Sequence, residues 1–214
     1  MRFFPCWALF ALLVCTAAAG PLERDLGLGL AYRRVHVLPA DLPSAGSVRN
    51  HPCVLDIRYV HGNAEAGNLL LAWLRFHAGP HTPVFLLANA GTSSELLAPL
   101  DSPDAVAGLV ILGAAGPDFT PDVALKVAPE AERRAYDALE KGASTDSLIV
   151  QEVDKPRIDE EKLNREHLSD SSIGDEEEGK PASPAPGPRP APLIDVALQR
   201  AVQLHRALLA MRRL

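Results

Sequence analysis

Apolar residues in this chain alternate between short continuous runs and segments with helical spacing. The run Pro83–Ala88 is almost wholly apolar, which is typical of a strand in a sheet covered on both faces, and Cys53–Val60 predicts a strand with Val54 and Ile57 buried. Between them, Ala64–His77 has apolar residues at helical spacing, and Gly79-Pro80 then ends the pattern. Upstream, Leu28–Pro39 predicts one or two exposed edge strands. The order strand, helix, strand is the signature of an α/β unit.

The same alternation continues downstream to Gly142. The predicted elements are a helix at Thr92–Leu100, a buried strand at Gly108–Leu112, a short alternating strand at Asp122–Val127 and a helix at Pro129–Gly142. Proline in the first turn and glycine just past the end are the expected boundaries of that last helix. Residues 20–142 are therefore predicted to form a layered α/β domain with a largely parallel sheet.

The first 19 residues have the pattern of a secretory signal peptide. Arg2 precedes an apolar run, and Ala17-Ala18-Ala19 offers a cleavage site before Gly20. We expect an exported protein, periplasmic or secreted, with a membrane attachment only if the signal segment is retained. Removal of residues 1–19 would leave Cys53 as the sole cysteine, which excludes an internal disulfide and suits a small core residue.

The composition changes after Gly142, and residues 143–192 are predicted to be a disordered acidic and proline-rich linker. Glu152–Lys180 contains eleven acids and five bases, a balance of -6 that equals the net charge of the whole chain. Residues 193–214 return to helical periodicity and predict an amphipathic helix. We expect this helix to dock on the domain, to self-associate or to lie on an anionic membrane surface, and favour the first two.

Several classes of ligand have no sequence support. The chain has no internal repeat, no glycine-rich phosphate loop and no basic stripe, so we expect neither nucleic acid nor a cofactor. His77 and His81 are separated by Ala78-Gly79-Pro80 without a cysteine or a well-placed carboxylate nearby, so no metal site is predicted.

The candidate chemistry lies at the turn that follows the second apolar run. Val84–Ala88 leads into Asn89-Ala90-Gly91, and Thr92-Ser93-Ser94-Glu95 then opens a helix. A strand–turn–helix of this kind can present a hydroxyl nucleophile beside free main-chain N–H groups. The catalytic candidates are Thr92, Ser93, Ser94 and His61, and the predicted binding turn comprises Gly62, Gly91, Thr92 and Ser93.

A series of short motifs in this region resembles a known family. They are Asp56-Ile57-Arg58 with Gly62, Leu86-Leu87-Ala88-Asn89, Ser94-Glu95-Leu96-Leu97-Ala98, the strand Leu109–Gly113, Pro121-Asp122-Val123 and Ala128-Pro129-Glu130. Their order and spacing resemble the peptidase domain of the C-terminal-processing, or tail-specific, serine peptidases. The resemblance covers about residues 30–142 and implies a ClpP/crotonase-type fold and a serine–lysine catalytic mechanism.

The departures from the family pattern bear directly on activity. Thr92 occupies the position of the family's nucleophilic serine, and Ser93 that of the residue whose N–H stabilises the oxyanion. Val60 and Asn63 replace an asparagine and a glycine, and the hairpin that carries the catalytic lysine is absent. The first lysine of the chain, Lys126, follows the Pro-Asp motif and does not match. A hydroxyl without a base is a poor nucleophile near neutral pH.

Three interpretations of the turn remain open: a helix cap, a retained peptide-binding turn and a rebuilt catalytic site. Thr92-x-x-Glu95 has the form of a capping box, in which hydroxyl and carboxylate satisfy N–H donors at a helix start. Alternatively, Ser93 or Ser94 pairs with His61, oriented by Asp56 or Asp118, in a rebuilt serine hydrolase. The favoured hypothesis is a shortened, inactive relative, a pseudoenzyme, that serves as a scaffold or polypeptide-binding module. The alternative is a serine-type peptidase or hydrolase with an altered constellation around Thr92–Glu95.

Overall fold

The computed structural model describes residues 20–43, 51–101, 106–116, 119–149 and 192–214. Its strands are β1 (Leu22–Asp25), β2 (Ala31–Arg34), β3 (Cys53–Asp56), β4 (Val84–Leu87), β5 (Leu109–Gly113) and β6 (Val123–Ala124). Its helices are α1 (Ala64–His77), α2 (Ser94–Leu97), α3 (Pro129–Glu140), α4 (Thr145–Leu148) and α5 (Val196–Ala210), with a 3-10 turn at Ala98–Leu100. The α/β class predicted from the sequence is confirmed. The expected signal peptide and most of the expected linker lie outside the described residues.

The strands form one six-stranded mixed sheet in which neighbours in sequence are neighbours in space. The order is β1-β2-β3-β4-β5-β6; β1 and β2 are antiparallel and all later pairs are parallel. The prediction of edge strands for Leu28–Pro39 is wrong for β2, which lies between β1 and β3. The outer edge of β2 is paired with β1 (Leu22–Asp25), which was missed in the sequence. Tyr32 is buried in the second core, and Arg34 is buried against Tyr136 of α3.

Alternate side chains along the strands fill two separate cores. Leu55 and Leu86 face a core closed by α1 and α2, whereas Val54 and Phe85 face a core closed by α3, α4 and α5. Covering both faces explains why the parallel strands read as continuous apolar runs. Because parallel strands end at the same edge, the segments after β3 and β4 are adjacent there.

Two boundaries differ from the sequence prediction. The helix expected at Thr92–Leu100 begins at Ser94 and tightens into the 3-10 turn after Leu97. Residues 143–149, assigned to the linker, are packed: α4 forms there, and Leu148 and Ile149 are buried in the second core. This part of the linker prediction is wrong, because these two apolar side chains add to the core that also receives α5.

A network of buried charges lies at the edge of the second core. Arg34, Asp56, Arg58 and Asp195 are each at most 1% exposed. Arg58 donates to both oxygens of Asp56, at 2.9 and 2.7 Å, and to both oxygens of Asp195, at 3.0 and 2.8 Å. Bidentate arginine–carboxylate pairs are the geometry in which buried charges compensate one another best.

Arg34 and its neighbours extend this network to β2 and α3. The Tyr32 hydroxyl donates to Asp56 at 2.7 Å and accepts from Arg34 Nε at 3.0 Å. Arg34 Nη1 donates to the carbonyl of Tyr136 at 2.9 Å and to Glu140 at 3.0 Å. The guanidinium also lies over the Tyr136 ring, 3.6 Å from its centroid, a cation–π contact. The charges thus join three elements that are distant in sequence.

The C-terminal helix α5 packs on the sheet through this network. Asp195 is its N-cap and accepts from the N–H of Leu198 at 3.1 Å, while the N–H of Asp195 donates to Leu148 at 3.0 Å. Leu198 and Ala201 are fully buried in the second core. The predicted docking of this helix on the domain is present in the structure, whereas its self-association and its binding to a membrane stay predictions.

Ionisation of the network depends on pairing. Burial by itself raises the pKa of Asp56, but the charge and hydrogen bonds of Arg58, aided by Arg34 and Tyr32, hold that pKa below its usual value. Burial raises the pKa of Tyr136 to about 12, so this phenol is neutral at physiological pH. Asp56 therefore remains an anion between two arginines.

Replacing Arg58 with methionine should destabilise the protein strongly. The change leaves Asp195 buried without its counter-ion and leaves Asp56 with Arg34 alone, at 3.6 Å. A loss of about 3–5 kcal/mol in the free energy of unfolding is typical when one partner of a buried ion pair is removed. Urea unfolding followed by circular dichroism measures it. The control is Arg134→Met at an exposed position of α3, where we expect a change within about 0.5 kcal/mol. Equal losses in both variants would contradict the stabilising role of the network.

Candidate functional site

The turn that follows β4 is held together by the side chain of Asn89. Its Oδ1 accepts from the N–H of Gly91 at 3.0 Å and from the N–H of Tyr59 at 3.4 Å. Its Nδ2 donates to Glu132 of α3 at 3.1 Å. Asn89 is buried, so it fixes the turn against both the segment after β3 and the helix α3. A close approach of Gly91 to the Tyr59 ring leaves no space for a Cβ atom there.

Thr92 is a buried structural residue rather than a helix cap. Its hydroxyl donates to the carbonyl of Ile57 at 3.0 Å and accepts from the N–H of Asn89 at 3.2 Å. The N-cap of α2 is Ser93, with ψ of 138°, and its side chain makes no capping bond. The capping box predicted for Thr92 and Glu95 is therefore wrong, because the helix starts too late for Thr92 to reach its first N–H groups.

Ser93 joins the turn to the segment after β3. Its hydroxyl donates to the carbonyl of Gly62 at 3.1 Å and accepts from the N–H of Gly62 at 2.8 Å. The main-chain N–H of Ser93 donates to Val60 at 3.1 Å. The structure thus brings together Gly62, Gly91, Thr92 and Ser93, the residues predicted to form the binding turn.

The main-chain donors of the turn are already occupied. The N–H groups of Gly91, Thr92 and Ser93 donate to Asn89 Oδ1, the carbonyl of Asn89 and the carbonyl of Val60 respectively. An oxyanion site needs donors that point at the reacting oxygen without prior partners. The oxyanion role expected for the Ser93 N–H does not fit this geometry.

Ser94 and His61 are exposed and line one pocket, but they are not hydrogen bonded to each other. The pocket has a volume of about 370 Å³, and its lining also includes Glu95 and Phe119. The Ser94 hydroxyl donates to Glu95 at 3.4 Å, and His61 has no hydrogen bond within the described part of the chain. The two side chains therefore line the same pocket, but they do not form the hydrogen bond that a catalytic dyad requires.

The other residues considered for catalysis are placed elsewhere. Asp56 is fully buried and accepts from Arg58 and Tyr32, so the predicted orientation of His61 by Asp56 is wrong. Asp118 lies outside the described residues. Lys126 is exposed and lines a groove with α5, apart from the residues that line the pocket at the turn.

Tyr59 and Glu132 hold the turn through Asn89, although neither lines the pocket, and they were not found from the sequence. Tyr59 has a left-handed backbone with φ of 63°, and its ring contacts Tyr136 edge to face at 5.0 Å between centroids. A non-glycine residue in this region stores strain and is frequent at functional sites. Glu132 lies at helical spacing from the buried Ala135, Tyr136 and Leu139 of α3. This spacing was the sequence signal that could have indicated a buried glutamate.

Histidines 77 and 81 do not combine with other ligands. His77 is buried, stacks on Trp73 and hydrogen-bonds its carbonyl at 2.8 Å, whereas His81 is exposed. Among the described residues, no group of three or more His, Cys, Asp or Glu side chains could hold a metal ion. Cys53 is buried, and burial raises the pKa of its thiol to about 12. The helices described here are all too short or too polar to cross a membrane.

Comparisons with known proteins identify no relative of this chain: no family model, no curated protein and no solved structure matches it. The hydroxyls and main-chain donors of the site mostly hold the turn, while the exposed side chains of His61, Ser94 and Glu95 face a pocket. Such a site can bind groups without activating a nucleophile.

Replacing Ser93 with alanine should destabilise the turn. The variant loses both bonds to Gly62 and leaves a partly buried N–H without its acceptor, an effect of about 1–3 kcal/mol. Thermal and urea unfolding measure the loss. The matched control is Ser94→Ala, since that hydroxyl is exposed and makes only the 3.4 Å contact with Glu95. A loss in Ser94→Ala as large as that in Ser93→Ala would refute the bridging role of Ser93.

Replacing Glu132 with glutamine should change how stability depends on pH. Burial raises the pKa of Glu132, so the folded protein retains this proton more strongly than the unfolded chain does. The wild type therefore loses stability as pH rises from the ordinary glutamate pKa through the raised value. Relative to the wild type, the Glu132→Gln variant should therefore gain unfolding free energy as the pH rises across this range. The exposed Glu130→Gln in the same helix turn is the control, and parallel curves for both variants would contradict the expectation.

Proposed function

We propose that this chain is an exported, proteolytically inactive relative of the tail-specific serine peptidases that serves as a scaffold or polypeptide-binding module. The carrying observation is that the turn expected to hold a nucleophile uses its hydroxyls and N–H groups for its own support. Thr92 and Ser93 donate to the carbonyls of Ile57 and Gly62. Neither hydroxyl has a base as its hydrogen-bond acceptor.

The need for a base supports inactivity. Hydroxyl nucleophiles are activated by a neighbouring imidazole, amine or carboxylate within hydrogen-bonding reach. The lysine expected from the family is missing, and Lys126 lines another groove. The N–H of Ser93 is also bonded, so this group is not free to stabilise negative charge on a reacting oxygen.

The proposed ancestry rests on the order of the motifs and on their arrangement. The strands that carry or precede these motifs, β3, β4, β5 and β6, are parallel and lie side by side in chain order. The ClpP/crotonase-type fold is part of the same proposal. Export rests on the signal-peptide pattern of residues 1–19.

Binding is supported by the pocket beside the turn. Its lining combines apolar Leu97 and Phe119 with the polar side chains of His61, Ser94 and Glu95 in about 370 Å³. A concave site with an apolar floor and a few polar groups suits a short stretch of polypeptide. The rigid turn, fixed by Asn89, would present this surface without reorganisation.

A serine hydrolase is the second candidate, because Ser94 and His61 line the same pocket. The pair would act as a catalytic dyad only if rotation of these exposed side chains brought them into hydrogen-bonding contact. Two experiments separate the candidates, one for covalent reactivity and one for peptide binding.

A fluorophosphonate probe should leave the purified mature protein unlabelled, and a peptide mixture should remain uncleaved. The reason is that Thr92 and Ser93 donate to main-chain carbonyls, and that the Ser94 hydroxyl has only a long contact of 3.4 Å with the Glu95 carboxylate. Mass spectrometry measures both results, with an active serine peptidase as positive control. Labelling that disappears in Ser93→Ala or Ser94→Ala, accompanied by peptide turnover, would establish the hydrolase instead. Ser94→Ala is the informative variant, since we expect it to fold normally.

Binding is tested by selecting peptides from a displayed random library on the full mature chain. Ser94→Trp places a bulky side chain in the pocket. It should reduce the affinity for the selected peptides about tenfold or more, as expected when a central contact is blocked. Glu130→Trp, exposed on α3, is the control for an added surface aromatic. Recovery of no peptide, or equal binding by both variants, would contradict polypeptide binding at this turn.

A further inference from the structure

The outer side of β6 presents main-chain groups that no described strand uses. The N–H of Leu125 donates to Gly113 at 2.8 Å, and β6 pairs with β5 in parallel register. In such a ladder alternate residues bond to the neighbour, so Ala124, between Val123 and Leu125, directs its N–H and carbonyl away from β5. β6 ends the sheet in the described part of the chain, and Ala124 is exposed there.

A groove runs between this edge and helix α5. It has a volume of about 300 Å³ and is lined by β6 with the two residues after it, and by Val196, Gln199, Arg200 and Gln203. The helical residues lie three to four positions apart and so share one side of α5. An extended segment entering the groove would meet the strand edge on one side and polar helical side chains on the other.

The charge of this groove is opposite to that of the chain as a whole. Lys126 and Arg200 are its charged lining residues, both are exposed, and the lining contains no carboxylate. The chain has a formal net charge of -6. A local pair of cations on an acidic protein favours an acidic partner and disfavours a basic one.

We propose that the groove between β6 and α5 binds an extended, acidic polypeptide segment of a partner protein as an added strand. The open main-chain groups at Ala124 supply hydrogen bonds that any sequence can make, while Lys126 and Arg200 select carboxylate side chains. This is β-augmentation, in which the strand edge gives affinity and side chains give specificity. The surface is separate from the pocket at the turn and does not depend on peptide binding there.

A lysine beside a short edge strand has another established role, protection against edge-to-edge aggregation. That role predicts aggregation when Lys126 is replaced, but no selectivity for acidic peptides. The two accounts therefore give different results with the same variants.

The probes are two labelled peptides with alternating valine, one carrying glutamate and the other lysine between the valines. Fluorescence anisotropy on the full mature chain should show preferential binding of the glutamate peptide. The double variant Lys126→Glu/Arg200→Glu should bind the glutamate peptide about tenfold or more weakly, because two attractive charge pairs become repulsive. The same variant should bind the lysine peptide better than the wild type does.

The matched control is Arg206→Glu/Arg212→Glu, which changes the net charge equally at exposed positions outside the groove. It should retain most of the affinity for the glutamate peptide. Ser94→Trp should also bind normally, which separates this surface from the pocket at the turn. Ala124→Pro removes the outward N–H while the bonds of Val123 and Leu125 remain, and should weaken both peptides.

Amide hydrogen exchange locates the bound peptide directly. The glutamate peptide should slow exchange at Ala124 and Lys126. Protection confined to other segments, equal affinity of the two charge-reversed variants, or aggregation of Lys126→Glu/Arg200→Glu without any peptide preference in the wild type would overturn the proposal. The last of these outcomes would identify Lys126 as edge protection only.

Discussion

The pairing of Arg58 with two carboxylates, Asp56 and Asp195, is the interaction on which the packing of the C-terminal helix α5 depends. A guanidinium that is fully buried needs nearly all its donors bonded, and Asp56 and Asp195 meet this need through four hydrogen bonds. Asp56 comes from the same strand end, but Asp195 is 137 residues away. The end of β3 is therefore electrostatically complete only when the C-terminal helix is in place.

This dependence links the packing of α5 to the geometry of the turn. Glu132 lies between the two regions: its carboxylate accepts from Asn89 at 3.1 Å and lies 3.8 Å from Arg58. Asn89 in turn fixes Gly91 and Tyr59. A continuous chain of polar contacts thus runs from Asp195, the N-cap of α5, to Asn89 in the lining of the pocket.

The same groups support the proposal that the turn binds a ligand rather than catalysing a reaction. A hydroxyl that bridges two main-chain segments stabilises them, but its proton is no longer directed at a base. Thr92 and Ser93 both have this bridging position, to Ile57 and Gly62. The pocket keeps its shape, and the exposed His61, Ser94 and Glu95 give it polar character.

Apolar periodicity determined the class of fold, the positions of α1 and β4 and the presence of a C-terminal amphipathic helix, because these depend on neighbours within one or two turns. The sequence also marked Asp56-Ile57-Arg58 and the turn at Asn89–Ser93 as distinctive. Tertiary structure alone decided that β1 covers β2, that Leu148 belongs to the core and that Thr92 binds Ile57 rather than capping α2. It also decided that Asp195 supplies the second carboxylate that accepts hydrogen bonds from Arg58. Such contacts join residues far apart in sequence, and a local pattern carries no information about which distant partner will satisfy a buried polar group.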